Sequence, residues 1–219
     1  MKRMVSFAVL AIFFGIVNVR AYAYDDADFQ VWSTFGEEVK ISQDLKVALE
    51  EEFRWGDNAS DFYYRHYDIG LSYNLKEWLG LGGGYRHILN RVGGDFKVEN
   101  EPYLTAALSW DLAGFKCDDR SRLEYQHFDY QADAWRYRNK LTLKLPWKFT
   151  ESEIQPYLAD EIFLNFQNET FNRNRFYAGL GMNLTKDLKA EIYYLLQSSK
   201  SQNKWTDIHA FGSKLKFSF

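Results

Sequence analysis

The stretch WRYRNKLTLKL, residues 135–145, places bulky apolar residues and charged or polar residues at alternating positions. Trp135 and Leu141 have odd residue numbers, whereas Arg136 and Lys140 have even ones; residues at such alternate positions are said here to share a parity. Successive side chains of a β-strand point to opposite faces, while a helix would bring apolar residues back every three or four positions. The pattern therefore predicts a strand with one apolar face and one basic face.

The same alternation recurs along most of the chain. It predicts strands of 11 to 15 residues, longer than the five or six residues usual in soluble proteins and long enough for a tilted strand to cross a membrane. The predicted strands lie near 28–40, 45–56, 61–75, 79–91, 97–111, 116–128, 134–146, 153–166, 173–184, 188–198 and 205–219.

Connections and aromatic residues favour a membrane barrel over a soluble fold. Tight connections, as at 42–44 and 185–187, alternate with longer polar ones, as at 90–96 and 129–133. Aromatic residues of the apolar parity gather near strand ends, and aliphatic residues fill the strand centres. Backbone groups in lipid must all be paired, so we expect a closed antiparallel transmembrane β-barrel with short periplasmic turns and longer outer loops. A soluble sandwich or periplasmic ligand-binding barrel with the apolar parity inward is the alternative.

The strand count conflicts with the usual rule for such barrels. Eleven segments are counted, whereas single-chain bacterial barrels have even numbers of strands. Residues 24–40 could hold two short strands with a bend near residues 33–36, which gives twelve. The same segment could instead lie partly in the lumen, which leaves ten. We expect ten to twelve strands, with twelve favoured.

Composition and the first residues indicate an exported protein. Residues 1–23 combine Lys2 and Arg3, an apolar run and the triplet Ala21-Tyr22-Ala23, the pattern of a cleaved signal peptide. Residues 24–219 are then one barrel domain in the outer membrane of a Gram-negative-type bacterium. The net charge of −3 argues against a nucleic-acid partner, and the single cysteine excludes an internal disulfide.

Several short motifs, in order, resemble a known family. They are DFQVW at 28–32, LEEEFR at 49–54, YYR at 63–65, DIGL at 68–71, GYR at 84–86, PYL at 156–158 and the final Phe219. In this order they resemble the bacterial domain of unknown function 2490. The resemblance implies an exported, β-rich outer-membrane protein with no assigned activity. The terminal Phe217 and Phe219 resemble the signal read by the barrel-assembly machinery, so that machinery and outer-membrane lipids are the expected partners.

The polar parity predicts a charged lumen. Acidic residues concentrate on the strands near 45–111 and basic residues on those near 116–184, so walls of opposite sign would face each other. The lumen is then either a polarised narrow pore or a space filled by ion pairs. The predicted lumen charges are Glu50, Glu52, Arg54, Asp68, Arg86, Glu99, Glu101, Arg120, Arg122, Arg136, Arg138, Lys140, Arg173 and Arg175.

Two carboxylates do not fit this parity. Glu51 and Asp160 fall on the apolar side, where a charge in lipid is costly, and a local bulge or a position near the membrane interface would accommodate them.

No strong catalytic motif is present, so the prediction is a non-enzymatic barrel, acting as a narrow pore or envelope scaffold and requiring no cofactor. His66 and Asp68 share a face and could form a base with its orienting carboxylate. A membrane-embedded enzyme built on that pair therefore remains the alternative, and the transported solute is not predicted.

Overall fold

The computed structural model describes residues 26–167, 170–201 and 204–219, so the predicted signal peptide lies outside the described residues. Within these ranges the chain forms eleven strands of 11 to 18 residues. They are β1 (Asp28–Lys40), β2 (Leu45–Gly56), β3 (Asp61–Lys76), β4 (Leu79–Val92), β5 (Asp95–Leu112), β6 (Phe115–Phe128), β7 (Ala134–Lys144), β8 (Gln155–Asn165), β9 (Thr170–Asn183), β10 (Leu188–Ser201) and β11 (Lys204–Ser218). No helix in these ranges is long and apolar enough to cross a membrane.

The strands close into one barrel, as predicted, but the favoured count of twelve is wrong. Each strand pairs antiparallel with its neighbour in sequence, and β1 closes the barrel by pairing parallel with β11. Eleven pairs of residues join them, from Asp28 opposite Ile208 to Glu38 opposite Ser218. A parallel ladder also pairs its backbone groups, so an odd number of strands leaves no open edge. The bend expected near residues 33–36 is absent, because β1 runs unbroken through them.

The apolar parity faces outward and the charged parity inward. Leu104 and Ile69 are 67% and 51% exposed, whereas Glu101, Glu124 and Glu161 are at most 1% exposed. This polarity is the reverse of a soluble globular protein, in which fully buried acids are rare.

The expected contrast between short turns at one end and long loops at the other is not observed. Gly93 and Gly94 connect β4 to β5 with only two residues, both with positive φ, so these strands extend further than predicted. Positive φ at both positions gives a turn whose twist matches that of the strands. The longest connection, residues 145–154, lies at the end where short turns were expected.

Part of the interior is packed with rings and aliphatic groups. Tyr157 lies opposite Gly179 and Tyr193 opposite Gly212, and a Cβ atom at either glycine would overlap the facing ring. The glycines thus let tyrosine side chains lie flat along the inner wall. The cluster around them contains Trp32, Tyr157, Ala159, Tyr177, Tyr193, Leu195 and Ala210, with Ile208 packed against it.

Candidate functional site

A belt of ion pairs covers the inner wall from β3 to β9. At its start, Arg86 donates from Nε to Asp68 at 2.9 Å, and its Nη1 lies 3.9 Å from Glu101. Asp68 also accepts a 2.6 Å hydrogen bond from the hydroxyl of Tyr103. The guanidinium group of Arg122 stacks 3.9 Å from the Tyr103 ring centroid and lies 3.8 Å from Asp68.

The belt continues across β6 to β9. Arg136 contacts both Glu101 and Glu124. Arg138 donates to Glu124 at 2.9 Å and to Glu161 at 2.7 Å, and Arg175 lies 3.6 Å from Glu161. Charge-assisted hydrogen bonds to several partners offset part of the cost of burying these carboxylates.

These pairs run along the wall rather than across the lumen. The predicted facing walls of opposite sign would pair strands five or six places apart. Within the described ranges, the ion pairs between different strands join strands no more than three places apart; the widest is Arg122 on β6 with Asp68 on β3. The register of the sheet brings acidic and basic side chains within ion-pair distance of each other on nearby strands. The ion pairs therefore lie against the wall and do not fill the centre of the lumen.

A cavity of about 930 Å³ lies inside the barrel. It extends from the end that carries Gly93, Gly94 and Tyr130 to the level of Glu191 and Lys214. Charged residues of the opposite rim do not line it; these are Glu38, Lys46, Asp118, Lys144 and Lys216.

The predicted lumen charges fall into two groups. Eleven line the cavity: Glu50, Glu52, Arg54, Arg86, Glu99, Arg120, Arg136, Arg138, Lys140, Arg173 and Arg175. Asp68, Glu101 and Arg122 do not line it but lie in the belt. Phe217 near the end of β11 and Phe219 just beyond it are exposed.

The structure does not bring His66 and Asp68 together as a base and its orienter. His66 Nδ1 lies 3.1 Å from the hydroxyl of Tyr64, and its Nε2 lies 3.6 Å from Glu50. The carboxylate of Asp68 is bonded to Arg86 and Tyr103 instead. In the part of the chain with described coordinates, no group of three or more His, Cys, Asp or Glu residues could hold a metal ion.

The outer wall carries a polar patch that sequence parity identified only in part. Asp160 is exposed on β8 and accepts a 2.9 Å hydrogen bond from Asn174, and on the adjoining strands Asn139 donates to Asp119 at 2.6 Å. The bulge expected at Glu51 and Asp160 is absent, since the irregularities in the register lie elsewhere. The neighbouring amide, rather than a change in register, accommodates Asp160.

Phe163 is one of the interior residues that sequence reasoning missed. It is 2% exposed. Its parity is that of Glu161, and this shared parity was the feature of the sequence that indicated an inward position. Ile162 and Leu164 on the opposite parity are equally apolar, so alternation alone does not assign the face of this segment.

Comparison with known proteins identifies a family and assigns no activity. No curated protein and no solved structure matches the chain. The family model described as "Protein of unknown function (DUF2490)" matches residues 29–207, which confirms the resemblance seen in the short motifs. Since this match covers nearly all of the barrel, the chain belongs to the DUF2490 family.

Proposed function

We propose that the protein is an outer-membrane barrel that forms a narrow, water-filled pathway for small polar solutes. The observation that carries the proposal is the reversed polarity of the wall: most leucines and isoleucines face out, while the acids of the belt are almost fully buried inside. A lipid-facing exterior accounts for the exposed apolar surface, which is far more extensive than soluble monomers expose.

The interior supports a pathway rather than a binding pocket for an apolar ligand. A soluble ligand-binding barrel would turn its apolar parity inward, whereas most of this cavity is lined by charged and polar side chains. Because the ion pairs lie along the wall, the space between them is available to water and small solutes.

Export and assembly are part of the proposal. The signal peptide of residues 1–23 would direct the chain across the inner membrane, and Phe217 and Phe219 would present the last strand to the barrel-assembly machinery. Outer-membrane lipids would then contact the apolar exterior.

Conductance in planar lipid bilayers tests the pathway. The full chain, purified in detergent from cells that express it, should give discrete conductance steps, and its folding is checked by heat-modifiable migration in gels. A folded barrel that gives no steps would overturn the pathway and support an envelope scaffold instead. Recovery of the folded chain without detergent would contradict the membrane placement.

A matched pair of variants tests whether current passes through the lumen. Glu191 lines the cavity, while Glu51 is exposed on the outer face of β2. Glu191→Gln should shift the reversal potential in a salt gradient toward anion permeation, because it removes a negative charge from the lumen. Glu51→Gln makes the same charge change outside and should leave the reversal potential unchanged. Equal shifts in both variants would mean that the ions do not pass the cavity.

A further inference from the structure

Four guanidinium groups surround the ring of one buried aromatic residue. Their Cζ atoms lie 4.9 to 5.9 Å from the ring centroid of Phe163. The four residues are Arg136, Arg138, Arg173 and Arg175. A ring face attracts cations, but it does not neutralise their charge.

Three of these four arginines have acidic partners. Arg136 contacts Glu101 and Glu124, Arg138 contacts Glu124 and Glu161, and Arg175 lies near Glu161. Three carboxylates thus serve the group of four, and all three are shared with further cations: Glu161 with Arg120, Glu101 with Arg86 and Glu124 with Arg122. The group therefore carries an excess of positive charge.

Arg173 is the member without an acidic partner. Across residues 26–167, 170–201 and 204–219, no carboxylate lies within ion-pair distance of its guanidinium group, and its buried Nε has no hydrogen-bond partner. The charged groups that act on it most strongly are other arginines, among them Arg175, Arg136 and Arg54. An unpaired guanidinium group held among like charges is costly, because burial removes part of its hydration.

The surroundings of Arg173 are suited to a small solute. Arg173 lines the cavity together with Asn165, Asn172 and Gln197, whose amides can donate hydrogen bonds. Arg54 lines the same space, with its guanidinium group stacked between Trp32 and Tyr64 at 3.7 and 4.1 Å from their centroids. A negatively charged solute at this position would neutralise the excess positive charge of the four arginines.

We propose that the cavity binds a small anion bearing a carboxylate or phosphate group, with Arg173 as its principal contact. The planar donor fork of a guanidinium group pairs with two oxygens of either group, which a monatomic ion cannot offer. The inference deepens the proposed function, since it rests on solute entering the lumen and names the class of that solute. Binding itself can be measured in detergent, with or without conductance.

Calorimetric titration of the full chain, folded in detergent, tests the site with inorganic phosphate and with succinate as separate probes. Saturable binding of at least one probe is expected, with chloride giving none at the same ionic strength, and the probe that binds identifies the group. Arg173→Gln should weaken binding about tenfold or more, the loss typical of a charge-assisted hydrogen bond. Lys144→Gln, the same charge change at the rim outside the cavity, should bind like wild type.

A second measurement separates binding from a structural role. Since Arg173 lies among like charges, Arg173→Gln should leave the urea midpoint unchanged or raise it. A lowered midpoint, or equal losses of binding in Arg173→Gln and Lys144→Gln, would overturn the site. So would unaltered binding in Arg173→Gln or the absence of saturable binding by either probe.

The two proposals fail in different ways. Saturable phosphate or succinate binding to a folded barrel that gives no conductance would leave the anion site standing and remove the pathway. Conductance without saturable binding would leave the pathway and remove the anion site.

Discussion

Ion pairs run along the inner wall from β3 to β9 (the ionic wall), whereas a cluster of rings and aliphatic groups runs along the inner wall from β8 through β11 to β1 (the apolar wall), so the two overlap on β8 and β9. Glu124 and Glu161 are buried on the first wall, and Leu195 and Ala210 are buried on the second. Both walls belong to one closed sheet and both face the same lumen. An inward-facing position in this barrel is therefore not committed to charge.

The seam between β1 and β11 explains where the apolar wall lies. The first and last strands meet here in parallel, and their register depends on contacts between segments 180 residues apart in sequence. Trp32 of β1 packs with Tyr193 of β10 and Ala210 of β11 in one cluster. Packing that depends on side-chain shape fixes the register between two strands. An apolar cluster at this place therefore suits the closure of the barrel, which joins the first strand to the last.

The largest effect is expected from removing one carboxylate of the ionic wall. Glu161 is 1% exposed and contacts Arg138, Arg175 and Arg120. Glu161→Gln leaves these cations without their shared anion, so the free energy of unfolding should fall by about 3–5 kcal/mol, the usual cost of breaking a buried pair. Urea unfolding of the barrel in detergent or lipid vesicles, followed by tryptophan fluorescence, measures it.

An exposed ion pair provides the control. Lys148 and Glu153 pair at 3.1 Å in the connection between β7 and β8, each about half exposed. Lys148→Gln should change the free energy of unfolding by no more than about 1 kcal/mol. If Glu161→Gln changed the free energy of unfolding as little as Lys148→Gln, the ion pairs of the belt would not stabilise the inner wall. The contrast between the two walls would then disappear.

The sequence predicted the ionic wall better than the apolar one, for a physical reason. Period two assigns a face wherever the two parities differ, as in Arg136 and Arg138 against Trp135 and Tyr137. In β8 the parities of Phe163 and Ile162 are equally apolar, and around Trp32 the inward residues are rings and small aliphatics. Alternation alone does not distinguish inside from outside in such segments.

A smaller effect is expected on the apolar wall. Gly212 faces the ring of Tyr193, and an added Cβ atom would overlap that ring. Gly212→Ala should lower the free energy of unfolding by about 1–3 kcal/mol, the range for overpacking a filled interior. The same urea experiment measures it.

Gly181 supplies the matched substitution for Gly212. A Cβ atom there comes no nearer than 4.0 Å to its closest neighbours, Gln155 and Glu191. Gly181→Ala should therefore be neutral or slightly stabilising, because it restricts the unfolded chain without overlap. Equal losses of stability at Gly181 and Gly212 would indicate that glycine is needed at both positions for the backbone conformation of the strand, and not to make room for the ring of Tyr193.

The strand count and the proposed anion site depend on facts that no short segment of sequence contains. All eleven strands were located, yet the parallel pairing of β1 with β11 is a long-range property, so the even-number rule gave twelve. Arg173 was assigned to the lumen, but its lack of a partner depends on which neighbours Glu124 and Glu161 already bind. Parity places a charge on a face, whereas pairing is decided by the register of several strands.

The smallest effect is expected outside both walls, at Asp133 in the connection between β6 and β7. Its carboxylate accepts hydrogen bonds from the hydroxyl of Tyr125 at 2.6 Å, from His127 at 3.0 Å and from the backbone N–H of Phe128 at 3.2 Å. These bonds, that of Tyr125 first, lower the pKa of Asp133 to about 2. An aspartate of the unfolded chain has a pKa of about 3.9, so the stabilisation is full above that pH and is lost as the pH falls toward 2.

Asp133→Asn isolates this contribution from all other acids. The difference in unfolding free energy between wild type and Asp133→Asn, measured by urea unfolding from pH 6 to pH 2.5, should be constant above about pH 5 and shrink as the pH falls. Its size should lie well below that of Glu161→Gln, because water reaches and screens the partly exposed carboxylate of Asp133 while the belt excludes water from Glu161. A difference independent of pH would mean that the Asp133 side chain acts through its shape. A difference as large as that of Glu161→Gln would mean that burial is not what gives the ionic wall its strength.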